Sequence, residues 1–165
     1  MSAWRVSHRA SAAACAMADR HYSRQKIGSP QFVPPGRCLV LIRDTALWTT
    51  SWPFAEYVKH DWAGAWMNSM FRSEGSERAS DLIRQAIAAT RFVWEPPALG
   101  MVTFVDPRAV PGTMVRGERV YGHCYHIAGF RHVGFTKGGL WAWQMLPEDM
   151  PEAIPALGMQ ERLIA

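Results

Sequence analysis

The stretch "YGHCYHIAGFRHVGFT", residues 121–136, decides how the chain is read. From Glu118 to Ala128 two series run at helical spacing: Tyr121, Tyr125 and Ala128, and Val120, Cys124 and Ile127. Gly129 stands where a helix ends on a left-handed residue, and Phe130 is placed to fold back onto the last turn. "RHVGFT" then reads as a strand and "LWAWQML" (140–146) as a last strand. The spacing predicts a helix over 118–128 feeding two strands. It leaves the tyrosines and His123 unexplained.

Working outward, "MVTFVD" (101–106) is a hydrophobic strand ending at Asp106, followed by a Pro/Gly-rich loop through residue 117. "GSERASDLIRQAIAATRF" (75–92) predicts a helix with Leu82, Ile83, Ala86, Ile87 and Thr90 on one stripe and Ser76 or Ser80 as its cap. In "AGAWMNSMFRSE" (63–74), Trp66, Asn68, Met70 and Arg72 alternate with Ala65, Met67, Ser69 and Phe71, which is strand periodicity. "RCLVLIRD" (37–44) and "ALWTTSWP" (46–53) read as neighbouring strands across a tight Asp44-Thr45 connection. Residues 25–36 are a Pro/Gly loop, "SHRASAAACAMADRHYS" (7–23) a helix capped by Ser7, and "AWRVS" (3–7) a short first strand. The Pro-rich tail from residue 147 is expected to wrap the surface. The order β-α-β-β-β-α-β-α-β-β predicts one α/β domain over 1–165.

Composition narrows the classes. The chain has 165 residues, 48% apolar and 19% charged, which fits a folded domain with one sizeable core. Three cysteines without C-x-x-C spacing argue against a disulfide framework or zinc knuckle, so a reducing cytoplasm is expected. Arg5 and Arg9 before "ASAAACAMA" mimic a signal peptide, but the Ala run stops at Asp19-Arg20-His21 and reads as a helix of the domain. No stretch approaches a membrane span, so no membrane partner is expected. The net charge is +4, carried mostly by arginine, a residue suited to phosphate contacts; codon bias explains it equally well.

"CYHIAGFRHVG" resembles the last helix and following strand of the GNAT acyltransferase superfamily, and the element order agrees. More narrowly, "HYS", "FRSEG…ASDLI" and "MVTFVDP…GHCYHIAGFRHVGFT", in that order between about Met17 and Met145, resemble the phage Mom-type DNA modification proteins. The resemblance implies a central mixed sheet with helices on both faces. It also implies an activity that places an acyl-derived, carbamoylmethyl-type group on adenine N6 of DNA. The matching catalytic positions are His21, Tyr22, Ser80, Asp106 and Tyr125. Tyr125 would be the proton donor toward a departing coenzyme A thiolate.

Arg72, Gly75 and Ser76 match the acyl-donor loop, and the donor itself, acetyl-coenzyme A or another activated carrier, stays open. The family loop has a small residue where Glu77 stands, and a carboxylate opposes the pyrophosphate that a helix N-terminus attracts.

Each candidate has a plainer reading beside the functional one. Ser80 could add a hydroxyl to an oxyanion site or be a first-turn helix residue. Asp106 could accept a hydrogen bond from an exocyclic amine or only start an Asp-Pro turn. His21 is the best general base by type, yet a helix-end histidine also complements the dipole. Tyr125 competes with a core ring. A metal site of His21, His123 and Asp106 lacks ligand spacing.

Arg20 and Arg24 flank "HYS", while Arg108, Arg116 and Arg119 border the loop after Asp106; all five are candidate phosphate contacts. Trp48, Trp52 or Trp62 could stack on an extruded base, with the core as the plainer place for Trp48. The rival functions are acylation of a small amine or protein terminus, and an inactive nucleic-acid-binding module.

Overall fold

The computed structural model describes residues 2–24, 26–30, 32–34 and 36–159; Gln25, Gln31 and Pro35 of the expected loop and residues 160–165 of the expected tail lie outside them. The chain runs β1 (Arg5–Val6), α1 (Ala12–Ala18), β2 (Arg37–Arg43), β3 (Ala46–Trp52), β4 (Trp66–Ser73), α2 (Ala79–Val93), β5 (Met101–Val105), β6 (Thr113–Val115), β7 (Glu118–Val120), α3 (His123–Ala128), β8 (Arg131–Phe135) and β9 (Trp141–Met145). Seven strands form one mixed sheet in the order β1-β2-β3-β4-β5-β9-β8; β6 and β7 pair apart from it. Among the strands of the described residues, β4 and β5 alone pair in parallel. Among the described residues no helix is long and apolar enough to cross a membrane.

β2 shows why the sheet sits where it does. Its residues 39–42 are all buried, and they divide by alternation. Leu39 and Leu41 join Trp4, Trp48, Trp66 and the α2 stripe; Val40 and Ile42 join Ala14 and Met17 of α1. Burying each Leu or Ile of α2 contributes roughly 1.5–3 kcal/mol. That stripe, more than a cap, holds the helix: its N-cap is Arg78, which makes no side-chain cap bond, and neither Ser76 nor Ser80 takes that place. The buried indoles are tied down as well. Trp4 donates to the Leu82 carbonyl, and Trp48 to Thr50, whose hydroxyl meets that of Thr90.

Besides the cap of α2, four expectations need correction. α1 is capped by Ser11, whose hydroxyl accepts from the Ala14 N–H, and not by Ser7; it ends at Ala18, so "RHYS" forms turns beyond it. The helix expected over 118–128 is only α3; Glu118–Val120 is a strand. Its cause is the turn joining β6 to β7, where Arg116 (φ 51°) and Gly117 (φ 82°) both lie in the left-handed region, as a primed hairpin turn requires. An arginine there hides the turn from sequence. The tail is part of the core: Met150, Ala156 and Met159 are buried in the larger cluster, and Leu157 bridges to Arg5.

The fourth correction lies in β4. Thr49 pairs with Met70 and Thr50 with Asn68, so Ser69 is an extra residue, a β-bulge. Strict alternation would put Trp66 and Met70 on one face. The bulge sends Met70 to the α1 cluster while Trp66 and Phe71 pack with the α2 cluster. The same strand then leaves its parallel neighbour. β4 and β5 pair only from Trp66↔Met101 to Asn68↔Thr103, after which β4 stays with β3 and β5 with β9.

Candidate active site

A cleft of about 730 Å³ opens at this divergence. His21 and Tyr22 enter it from the turns after α1, Asp106 from the end of β5, and Tyr125 from α3; Asn68 and Thr103 stand at the point where the strands part. Phe32, Met70 and Phe104 supply apolar wall. Four of the five catalytic candidates thus line one cleft. Ser80 does not: it is buried in the first turn of α2, away from the lining residues. Trp48 is wholly buried core, and Trp52 lies under the Arg37 guanidinium. Trp62, with its ring centre 5.9 Å from that of Phe104, is the one of the three tryptophans that adjoins the cleft wall.

Asn68 was not anticipated, and it organises the site. Its Nδ2 donates to the Thr49 carbonyl (3.1 Å) and the Met70 carbonyl (2.9 Å), which closes the backbone of the bulge. Its Oδ1 accepts from the Tyr125 hydroxyl (2.8 Å) and the Thr103 hydroxyl (3.2 Å). The amide therefore uses both donors and both acceptor sites while buried. The signal in sequence was an asparagine between Trp66 and Met70 on a strand, because a buried polar side chain must find partners.

Tyr125 packs edge-on to Phe130, and Gly129, at φ 114°, ends the helix between them as expected. Burial pushes the Tyr125 hydroxyl well above its ordinary range, so it stays protonated and donates to Asn68 as a neutral phenol. Tyr22 stacks on His21, and its hydroxyl interacts with the Asp106 backbone across the cleft. Burial, with the Arg72 charge adding to it, lowers the His21 pKa to about 4. The Ser23 N–H donates to His21 Nδ1 (3.1 Å), which leaves the ring proton on Nε2. His21 is thus an uncharged, oriented ring at neutral pH.

A pH effect follows from that depressed pKa. The unfolded imidazole titrates near 6.5. Stability from the neutral ring is full above that value and is lost as pH falls toward about 4. In urea melts from pH 7 to 4, His21→Gln should lose less stability than wild type. Parallel curves would mean the ring is not held neutral.

Asp106 is held below the usual carboxylate range by Arg108, whose Nε lies 3.0 Å from Oδ1. The loop from β4 to α2 is internally paired. Glu74 takes Arg20 and Arg72, both at 2.6 Å, and the two guanidiniums bring its pKa down to about 2. Glu77 takes Arg43 (2.6 Å). Arg72, Gly75 and Ser76 stand outside the cleft lining. Gly75 packs so closely on Thr45 and Glu77 that a Cβ there would collide with both. Arg24, its side chain 4% exposed, is bound to Asp19, so it staples the turn and offers no surface to a phosphate. Arg116 and Arg119 are exposed and make no ion pair among the described residues.

Compared with protein-family models, curated proteins and solved structures, the chain finds no match, so the chemistry of the cleft has to be read from its own geometry.

Proposed function

We propose that this cleft is the active site of a GNAT-like transferase of Mom type, which places an acyl-derived group on adenine N6 of DNA in the cytoplasm. One observation carries the reading. Three segments far apart in sequence bring His21, Tyr22, Asp106 and Tyr125 to the place where two parallel strands diverge. The strand order is consistent with such a fold, and so is the division of α1 and α2 between two clusters on alternate β2 residues. The nucleophile is the amine of the substrate, so the protein needs no serine or cysteine nucleophile. Asp106 would accept a hydrogen bond from the exocyclic amine, and the neutral Tyr125 would turn its one O–H from Asn68 Oδ1 to the charge that develops on the leaving group, with Thr103 still bonded to Asn68. The apolar walls would receive a base turned out of the stack.

The donor is the open half. Arg20, Arg43 and Arg72 are each already paired with Glu74 or Glu77. A pyrophosphate at the start of α2 would have to displace those carboxylates, which favours a carrier other than coenzyme A.

Salt dependence of binding separates a DNA substrate from a small amine. Each phosphate contact adds about 0.9 to the slope of log K against log salt. Arg108 is held by Asp106, so Arg116 and Arg119, in the β6–β7 hairpin, are the cations of this region that make no ion pair among the described residues. Replacing Arg108, Arg116 and Arg119 by Ala should flatten the slope on duplex DNA by about two units, without changing sequence preference. Equal slopes would remove that region from the DNA interface.

A further inference from the structure

A second set of rings lies on the β8–β9 hairpin, outside the cleft lining. A register shift between His132 and Gly134 makes Val133 an extra residue, so His132 and Phe135, three apart, share one face. His132 stacks on Trp141 with ring centres 4.4 Å apart and planes 20° apart. Phe135 meets both rings edge-on, at 5.0 and 5.5 Å, and Tyr121 also reaches Trp141, at 5.5 Å. His132 is exposed, and Phe135 is 58% exposed. The cluster is therefore not sealed as core, although Trp141 packs partly against it. Its borders are cationic. Arg119 lies beside Tyr121, both within 3.0 Å of where a Cβ on Gly112 would be, and the exposed Lys137 sits in the β8–β9 turn. Leu140 of that turn lines the cleft and precedes Trp141 in sequence, so the same hairpin carries the platform and part of the cleft wall.

We infer that this face is a stacking platform for the unpaired nucleic-acid strand next to the base held in the cleft, an inference that rests on the DNA reading above. Exposed rings bordered by Arg and Lys are the pairing that single strands require: rings take the bases and cations take the phosphates, with little sequence preference. A second copy of the chain is the less suited occupant, because a two-fold contact would set Arg119 and Lys137 against like charges.

The test is a titration of tryptophan fluorescence with an oligothymidylate single strand and with a duplex of mixed sequence. Wild type should be quenched by the single strand, through Trp141, and bind it more tightly than the duplex. The double variant His132→Ala, Phe135→Ala, which removes exposed rings, should weaken single-strand binding by about tenfold or more. Its circular dichroism should match wild type with only a small shift of the urea melt from the lost ring contacts, and Lys137→Ala should lower only the salt slope. Unchanged affinity in the double variant, or preference for the duplex, would overturn the inference. So would a concentration-dependent dimer in sedimentation that the variant abolishes, since the face would then belong to a second copy. Modification of DNA is assayed separately. Binding mapped to the platform without base modification would keep this inference and reject the proposed activity. Modification with unaltered binding by the double variant would do the reverse.

Discussion

Tyr125→Phe is expected to lower group transfer by about 10²- to 10⁴-fold, the range typical of losing a positioned proton donor. The change removes one oxygen and keeps the ring that packs on Phe130. Asn68 Oδ1 loses one partner and keeps the Thr103 hydroxyl. The structural cost is then about 1 kcal/mol, the usual net value of one hydrogen bond. A large kinetic loss with a small stability loss is the signature of a group that touches the reacting atoms. Rates and urea melts on the same preparations would separate the two. A variant with wild-type turnover would reduce Tyr125 to a core residue.

Asn68→Ala should produce the largest structural effect of any single change at the site. Four groups lose a bond together: the Thr49 and Met70 carbonyls and the Tyr125 and Thr103 hydroxyls, of which Thr103 keeps a longer contact (3.5 Å) to the Asn68 backbone carbonyl. Buried polar groups left without partners cost about 1–3 kcal/mol each, and neighbours recover part of that by pairing among themselves. We expect a loss of about 3–5 kcal/mol, in the range that marks a broken buried network. For a domain of this size that corresponds to roughly 10 °C in Tm. Thr103→Val is the control. It removes one acceptor contact at Asn68 and should cost about 1 kcal/mol. Equal effects of the two variants would show that Asn68 does not hold the bulge and Tyr125 together.

The two strands of the β2–β3 hairpin were legible because apolar runs bounded by charges leave little choice of pairing, and Asp44-Thr45 leaves room only for a tight turn. Gly129 was legible as a stop because φ 114° excludes most other residues. Other features escape any reading by periodicity. The bulge at Ser69 changes which face Met70 occupies without changing composition, and Arg116 adopts a left-handed turn that Asn or Asp would have announced. His21, Tyr22, Asp106 and Tyr125 came from a resemblance, and their meeting in one cleft is a property of the strand order, which brings β5 beside β4 only as far as Thr103. Ser80 failed to join them because the apolar stripe of α2 turns the first turn of that helix inward, and the buried serine goes with it. Asn68 was passed over because strand alternation treats it as one more inward residue, whereas its four bonds tie β3, β4, β5 and α3 together.

The central claim is that the cleft modifies adenine in DNA. DNA from bacteria producing the protein can be digested to nucleosides and analysed by mass spectrometry. The parallel samples are cells without the protein and cells producing Tyr125→Phe. The account predicts a heavier adenine nucleoside, substituted at N6, in the wild-type sample, with that signal lost or greatly reduced in the Tyr125→Phe sample. Unmodified adenine in all three samples, with the wild-type protein folded and abundant, would contradict it.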